Sequence, residues 1–377
     1  MTKEKIKIAF DTHHLLLENA GTKRVTVSLL KEFKKNEDIQ LSVLSPGYSL
    51  KSGKTVPDKI LGHLKRFFWV HIQLPWLCVL KKTDVLFSPE FNTPLFTFCK
   101  RVVIAHDAHT RAQRQYVSKA WFYFYYMPFI ELPIRFADVV FTVSNFSKNE
   151  LSKLMGINQE KIVVAYNSVD ELFNQNTLNE QQQLPAGLKE KEYLMFIGTF
   201  ESRKNVDRLL EAFALIKNKN SEALADLKLA ISGNPSKSKY SDRSNDIVQL
   251  IDNLGLKDDI IFCGFIADND LPLVYSNAIL IAFPSLYEGF GLPILEAFSC
   301  SVPVLISNIE ALTEVADHAA LTCDPNDVKD IAEKLESLIF NQKLRDELVI
   351  RGTERLNDFS WKRTSDLMIE KIKELVR

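Results

Sequence analysis

Short apolar runs alternate with longer amphipathic stretches along the whole chain. In the first half the runs are Ile6–Phe10, Ile39–Leu44, Val85–Ser88, Val102–Ala105, Val139–Val143 and Ile162–Ala165. Runs this short, bounded by polar residues, predict strands buried on both faces. Apolar positions recur at helical spacing over Thr22–Lys35 and Asn145–Met155, which predicts helices there. The second half repeats the rhythm. Strands are expected at Tyr193–Ile197, Leu227–Ser232, Ile260–Cys263, Leu280–Phe283 and Val302–Ile306. Helices are expected near Val206–Lys217, Asp242–Leu254, Asp270–Ser276, Pro293–Phe298, Val328–Asn341 and Lys343–Arg355, with a closing helix at Trp361–Arg377. Strand–helix alternation predicts α/β architecture with parallel, doubly wound sheets. In such sheets ligands bind beyond the carboxyl ends of the strands.

A length of 377 residues favours two domains. The polar stretch Leu172–Lys191, which ends in Pro185 and Gly187, is the best linker. The expected division is residues 1–170 completed by the closing helix 361–377, a linker at 171–191, and a second domain at 192–360. With 46% hydrophobic and 25% charged residues, the composition is that of a soluble globular protein. The N-terminus lacks an apolar signal-peptide core and reads as the first buried strand. The longest apolar run, Ala120–Ile130, falls short of the roughly 18 residues a membrane span needs. Five scattered cysteines without a C-x-x-C pair fit a reduced, cytoplasmic setting and no structural zinc.

Charge changes the picture. Residues 1–168 carry 24 Lys and Arg against 14 Asp and Glu, whereas the remainder carries 23 against 34. A basic half beside an acidic one implies that the first half meets something anionic: nucleic acid, a membrane surface or a lipid-phosphate acceptor. Solvated helix faces that differ in sign are the plain alternative.

The densest chemistry lies in Ser285–Glu296, where Glu288 and Glu296 are separated by seven residues that include Gly289, Gly291 and Pro293. Pro293 suits the first turn of a helix. The segment therefore reads as strand, glycine-bearing loop and helix, with Glu288 in the loop and Glu296 one turn into the helix. Backbone N–H groups at such a helix start can approach an anion closely. Carboxylates on both sides of an anion cradle make sense when the ligand also carries hydroxyls, as a nucleotide sugar does. Arg203 and Lys204 follow a strand and Gly198, so they too stand at a carboxyl end.

Glu288-Gly-Phe-Gly-Leu-Pro-Ile-Leu-Glu296 resembles the Glu-x7-Glu motif of retaining nucleotide-sugar glycosyltransferases of the family-4 (glycosyl transferases group 1) type. Gly198–Asn205 resembles the family's segment with an Arg-Lys phosphate pair, Val143–Leu151 its "SxFS" helix start, and Ile162–Asp170 its hinge strand. Ala316–Pro325 and Phe359-Ser-Trp361 match in order, and within the family the pattern is nearest to mannosyltransferase-like enzymes of bacterial surface-polysaccharide assembly. The resemblance implies the GT-B fold of two Rossmann-like domains facing across a cleft. It implies hexosyl transfer from a GDP- or UDP-linked sugar to a glycan or lipid-linked acceptor, with no cofactor and no metal. It assigns Glu296 to the donor ribose and Glu288 to the transferred sugar. Gly289, Phe290, Gly291 and Leu292 complete the donor site, and Arg203 and Lys204 take the charge developing on the departing phosphate. His106, after the strand Val102–Ala105, would lie near the donor sugar; a structural or capping histidine is its alternative. Gly21, Thr22 and Arg24, in the loop before the helix Thr22–Lys35, are the acceptor candidates, and an ordinary glycine turn is the alternative.

Two positions depart from the family pattern: Cys300-Ser301 and Asn167-Ser168 stand where Cys-Gly and Asn-Gly are usual. If they require positive φ, serine costs about 1 kcal/mol. Ser144 and Asn167 are read as cleft-lining or capping. The base pocket is expected near Ser232–Ser238 and Phe265–Leu271.

Two aromatic segments, Lys65–Trp76 and Ala120–Phe129, stand among Lys51, Lys54, Lys59, Lys81, Lys82, Arg111, Arg114 and Lys119. Such segments fit peripheral contact with an anionic inner membrane face; helices packed in the core are the alternative. Nucleic acid is disfavoured as a partner. The rival functions are a catalytically silent partner subunit and a 2-epimerase or phosphorylase on the same fold.

Overall fold

The computed structural model describes residues 5–16, 20–50, 56–173, 183–185, 187–233 and 244–377. Residues 174–182 and 186 of the expected linker, and most of Ser232–Ser238, lie outside that set. The chain divides into two compact units, Met1–Ser168 with Ser360–Arg377, and Val169–Phe359.

The first unit holds β1 (Ile6–Asp11), β2 (Ile39–Leu44), β3 (Val85–Ser88), β4 (Lys100–Ile104), β5 (Val139–Thr142) and β6 (Ile162–Val164) in the order β2-β1-β3-β4-β5-β6. Every pairing is parallel. Phe10 and Phe87 stack with ring centroids 5.0 Å apart, and Phe33 packs on both, filling the space between sheet and helix. The helix Asn145–Met155 begins where Ser144 Oγ accepts from Ser147 N and ends at Gly156 with φ 65°. Ser144 is thus a cap. The closing helix Trp361–Val376 belongs to this unit: Thr364 Oγ1 donates to the Tyr166 carbonyl at 2.6 Å, and Lys373 pairs with Asp38.

The second unit holds β7 (Tyr193–Phe196), β8 (Lys228–Ser232), β9 (Ile260–Gly264), β10 (Leu280–Phe283), β11 (Val304–Ser307) and β12 (Leu321–Cys323) in the order β12-β11-β10-β7-β8-β9. Its pairings are parallel as well. β11 starts at Val304 rather than Val302 because Pro303 has no N–H to give the ladder. β12 and the helix Glu310–Ala316 are not among the elements expected from the sequence.

Ser301 does sit at φ 55°, so its side chain costs about 1 kcal/mol relative to glycine. Ser168 has no positive φ, and no such cost applies there.

Both aromatic segments are helical, and each contains a wider π-helical stretch, Trp69–Gln73 and Phe122–Glu131. Pro75 follows the first and Pro128 lies inside the second. A proline removes an N–H and crowds the preceding turn, and widening that turn relieves the crowding. Each helix is half core: Trp69, Val70, Leu74 and Cys78 are buried in one, and Phe122 and Tyr126 in the other.

Candidate active site

In the second unit the chain runs β7-β8-β9 to one side, then returns to lay β10 on the other flank of β7. The reversal leaves a crevice at the carboxyl ends of β7 and β10, the place where doubly wound sheets bind ligands. After β7 the chain makes a single turn, Ser202–Lys204, and leaves it through Asn205 at φ 61°. Asn205 is fully buried, and its Nδ2 donates to the carbonyls of Pro284 at 2.9 Å and Pro325 at 2.7 Å. The Arg203 carbonyl accepts from Leu286 N at 2.7 Å. One short turn is therefore fastened to the loops after β10 and β12, which fixes where its two cations stand.

Both cations converge on Glu288. Arg203 Nη1 lies 3.0 Å from Glu288 Oε2, and Lys204 Nζ lies 2.5 Å from Oε1. Glu201 accepts from Arg203 Nε at 2.7 Å, and Lys204 Nζ sits 4.8 Å from the centroid of the Phe283 ring. The side chains are 21% exposed for Arg203, 11% for Lys204 and 10% for Glu288, so this is a largely desolvated ion triad. Burial pushes the Glu288 carboxyl up, but Lys204 and Arg203 together outweigh it and hold the acid below the usual carboxylate range. The carboxylate and the cations are thus one interacting group, where the sequence alone allotted them separate tasks.

Glu296 is held differently. It lies in the helix Leu292–Ser299, which has Pro293 in its first turn, and it accepts from Tyr275 Oη at 2.5 Å. Glu296 is 2% exposed, not a solvent-facing helix acid. The helix enters through Gly291 at φ 99°, where a Cβ would come within 2.7 Å of Leu312 Cδ2. Gly291→Ala is therefore expected to destabilise the protein by about 2–4 kcal/mol, combining backbone strain with overpacking. Urea denaturation followed by circular dichroism measures it, and a midpoint equal to wild type would refute the conformation given for Gly291. Phe290 is buried with its ring 5.9 Å from that of Phe359. Asn205 and Tyr275 fasten the candidate site and were not singled out from the sequence. Asn205 belongs to the Arg-Lys segment and could have been flagged there, whereas a tyrosine in a short apolar helix carries no such signal.

In the first unit His106 follows β4, with Nε2 3.3 Å from the Pro89 carbonyl and its ring edge-on to Phe91. Its own carbonyl accepts from Ser147 Oγ at 3.0 Å. The helix expected to begin at Thr22 begins at Ala20, so Gly21 lies inside its first turn and not in a loop. Gly21 has open space around it and no positive φ, so neither conformation nor crowding requires glycine there.

The reversal of strand order in this sheet falls between β1 and β3, where a polar cluster stands. Asp11 accepts from His13 Nδ1 at 2.7 Å and from Trp69 Nε1 at 3.1 Å. His14 Nε2 lies 2.6 Å from Thr26 Oγ1, and burial lowers the His14 pKa. His13 Nε2 and His14 Nδ1 meet no hydrogen-bonding partner among the described residues. The sequence shows this histidine pair directly after a strand, but the family resemblance does not single it out. Among the described residues no group of three or more His, Cys, Asp or Glu is arranged to hold a metal ion.

Two family models match the chain. Residues 20–171 match Glycosyltransferase Family 4, and residues 179–355 match Glycosyl transferases group 1. O-antigen chain mannosyltransferase B of Escherichia coli is 34% identical over 244 residues, 63% of this chain and 61% of that protein. The serotype-specific mannosyltransferase WbdA of Escherichia coli is 29% identical over 296 residues, 77% of this chain and 35% of its own length. The matched segments thus span less than two thirds of these relatives. The crystal structure of Anabaena Alr3699/HepE in complex with UDP-glucose superposes with a TM-score of 0.73 at 16% identity, covering 98% of this chain and 100% of that one. That likeness establishes the fold class, GT-B, with its paired parallel sheets. The two models lie side by side along the sequence, so the chain carries a glycosyltransferase family-4 domain followed by a glycosyl transferases group 1 domain.

Proposed function

We propose that this protein transfers a hexosyl group, mannosyl by analogy with its relatives, from a nucleotide diphosphate sugar to a glycan or lipid-linked acceptor, with retention of anomeric configuration and without a metal. The Arg203–Lys204–Glu288 triad at the strand-order reversal of the second unit carries this reading. In the transfer, the bond between the anomeric carbon and the diphosphate oxygen breaks, and its electron pair leaves on the β-phosphate. Two fixed cations in a poorly hydrated site stabilise that charge without reorganising, the largest catalytic effect such a site offers. The acceptor hydroxyl bonds to the anomeric carbon from the face the phosphate leaves, and its proton passes to a phosphate oxygen. Glu201, Arg203, Glu288 and Lys204 sum to zero formal charge. The arriving diphosphate would draw the cations to itself and free Glu288 for the sugar hydroxyls, while Glu296 would accept from the two ribose hydroxyls. Gly289, Gly291 and Leu292 would present backbone N–H groups to the same ligand.

The acceptor would meet the first unit near Gly21, Thr22, Arg24 and His106. A lipid-linked acceptor would bring the enzyme to a membrane face. A thermal-shift panel with GDP, UDP and ADP identifies the base, with one nucleoside diphosphate expected to raise the melting temperature above the others. The product made from the matching sugar donor is then read by NMR for its anomeric configuration. The opposite anomer would overturn retention. Failure of every donor to release nucleoside diphosphate would favour a silent partner subunit.

A further inference from the structure

The aromatic helix of the first unit has two apolar sides. One faces the core, with Trp69, Val70, Leu74 and Cys78 packed near Ala9, Leu44 and Leu86. The other faces outward: Ile60, Leu64, Phe68, Ile72, Trp76 and Leu80 are each 46–62% exposed. Those six recur at every fourth residue. In a straight α-helix a four-residue step overshoots a full turn by about 40°, so a stripe of this length would wind around the helix. The wider π-turn at Trp69–Gln73 sets that drift back midway, which keeps one apolar line on the outer side. The flank between the two sides is also occupied. His63 meets Tyr125, and Phe67 and His71 meet Phe129, all at ring-contact distance on the adjoining helix. That second helix adds Phe124, 79% exposed, and Tyr123, 46% exposed.

A continuous apolar stripe of this extent is costly in water and marks a surface that is covered in use. Its surroundings indicate by what. Across Val56–Lys82 and Arg111–Arg135 nine basic residues stand against two acidic ones, Asp58 and Glu131. Glu131 is buried, 3.7 Å from Arg111, so it offers nothing to the exterior. A second copy seated on the stripe would bring these basic rims against each other. An anionic bilayer surface meets both demands, with acyl chains for the stripe and phosphates for the rim. Among the described residues no helix is long and apolar enough to cross a membrane, so such a helix lies along the interface.

We propose that the face carrying Ile60, Leu64, Phe68, Ile72, Trp76 and Leu80 docks in the plane of an anionic lipid bilayer. The inference stands on this surface alone. Flotation reads it without donor or acceptor, so its failure and the failure of the transferase reading are separate results. The test floats the full chain with vesicles of phosphatidylcholine containing about a third phosphatidylglycerol, and with phosphatidylcholine alone. Wild type is expected to float with the anionic vesicles at low salt and much less with the neutral ones. The exposed triple substitution Leu64→Ser, Phe68→Ser, Ile72→Ser is expected to lower the bound fraction about tenfold or more while leaving the circular dichroism spectrum unchanged. Wild type remaining at the bottom of the anionic gradient at low salt would overturn the proposal. A variant that floats as well as wild type would overturn it too, and so would a stripe-dependent dimer that does not float.

Discussion

Glu288→Ala will destabilise the second unit by about 3–5 kcal/mol, because it removes the acid that two poorly hydrated cations share. Arg203 retains Glu201 on Nε, but Lys204 loses the acid 2.5 Å from its Nζ and keeps the face of Phe283. The measurement has a convenient internal contrast. All four tryptophans, Trp69, Trp76, Trp121 and Trp361, lie in the first unit, so fluorescence follows that unit while far-UV circular dichroism follows both. The substitution is expected to move the part of the dichroism transition that fluorescence does not share. A shift under 1 kcal/mol would mean that the triad is not the desolvated cluster described here. The double variant Glu288→Ala, Lys204→Met is expected to be less destabilised than the sum of its parts, since removing both partners removes the uncompensated charge. The pH dependence follows from the same contacts. The ordinary value for this carboxyl is 4.5, and in the folded protein it is lowered. Its stabilising contribution is therefore complete above 4.5 and is lost as pH falls below that value, with no change toward neutrality from this group.

Lys204→Met will lower kcat for sugar transfer by about 10²–10³-fold while changing the KM for the donor far less, if the cation acts mainly on the charge that develops as the diphosphate departs. Methionine keeps the length and most of the apolar packing against Phe283 and removes the charge alone. The same substitution leaves Glu288 with Arg203 as its one strong partner, which weakens the force opposing desolvation and raises the Glu288 pKa toward the ordinary range. Acid unfolding of this variant should therefore begin at higher pH than in wild type. Steady-state kinetics with the donor chosen by the thermal-shift panel provides the test. A rise in KM with kcat unchanged would show that Lys204 binds ground state and transition state alike, and would remove it from the catalytic set.

The parallel sheets were legible because strands buried on both faces must be apolar throughout, and that signature survives in a single sequence. β2, β3 and β10 coincide with their expected limits, whereas β4 and β11 moved by about two residues where ladder partners, not side-chain character, set the ends. The carboxyl-end placement of Arg203, Lys204 and Glu288 was also readable, since each directly follows a strand. Their partnership was not. Residues 84 and 85 positions apart meet only because β10 returns to the flank of β7, and strand order is a property of the sheet that no local window contains.

The same division holds elsewhere. The aromatic segments announced large apolar surfaces, but a residue's type cannot say which side of its helix finds a sheet. Only the packed unit sorted Trp69 and Leu74 into the core and left Phe68 and Trp76 outside. Gly21 looked like a turn because glycine permits one, and the fold placed it in a helix that asks nothing special of it. By itself, then, the sequence determined the element types, the two-sheet architecture and the residues able to bear charge or bind hydroxyls, because these depend on composition over a few neighbouring positions. The tertiary structure alone decided which charges neutralise each other, which carboxylate is held by a tyrosine and which apolar face stays uncovered, because those depend on contacts between segments far apart in the chain.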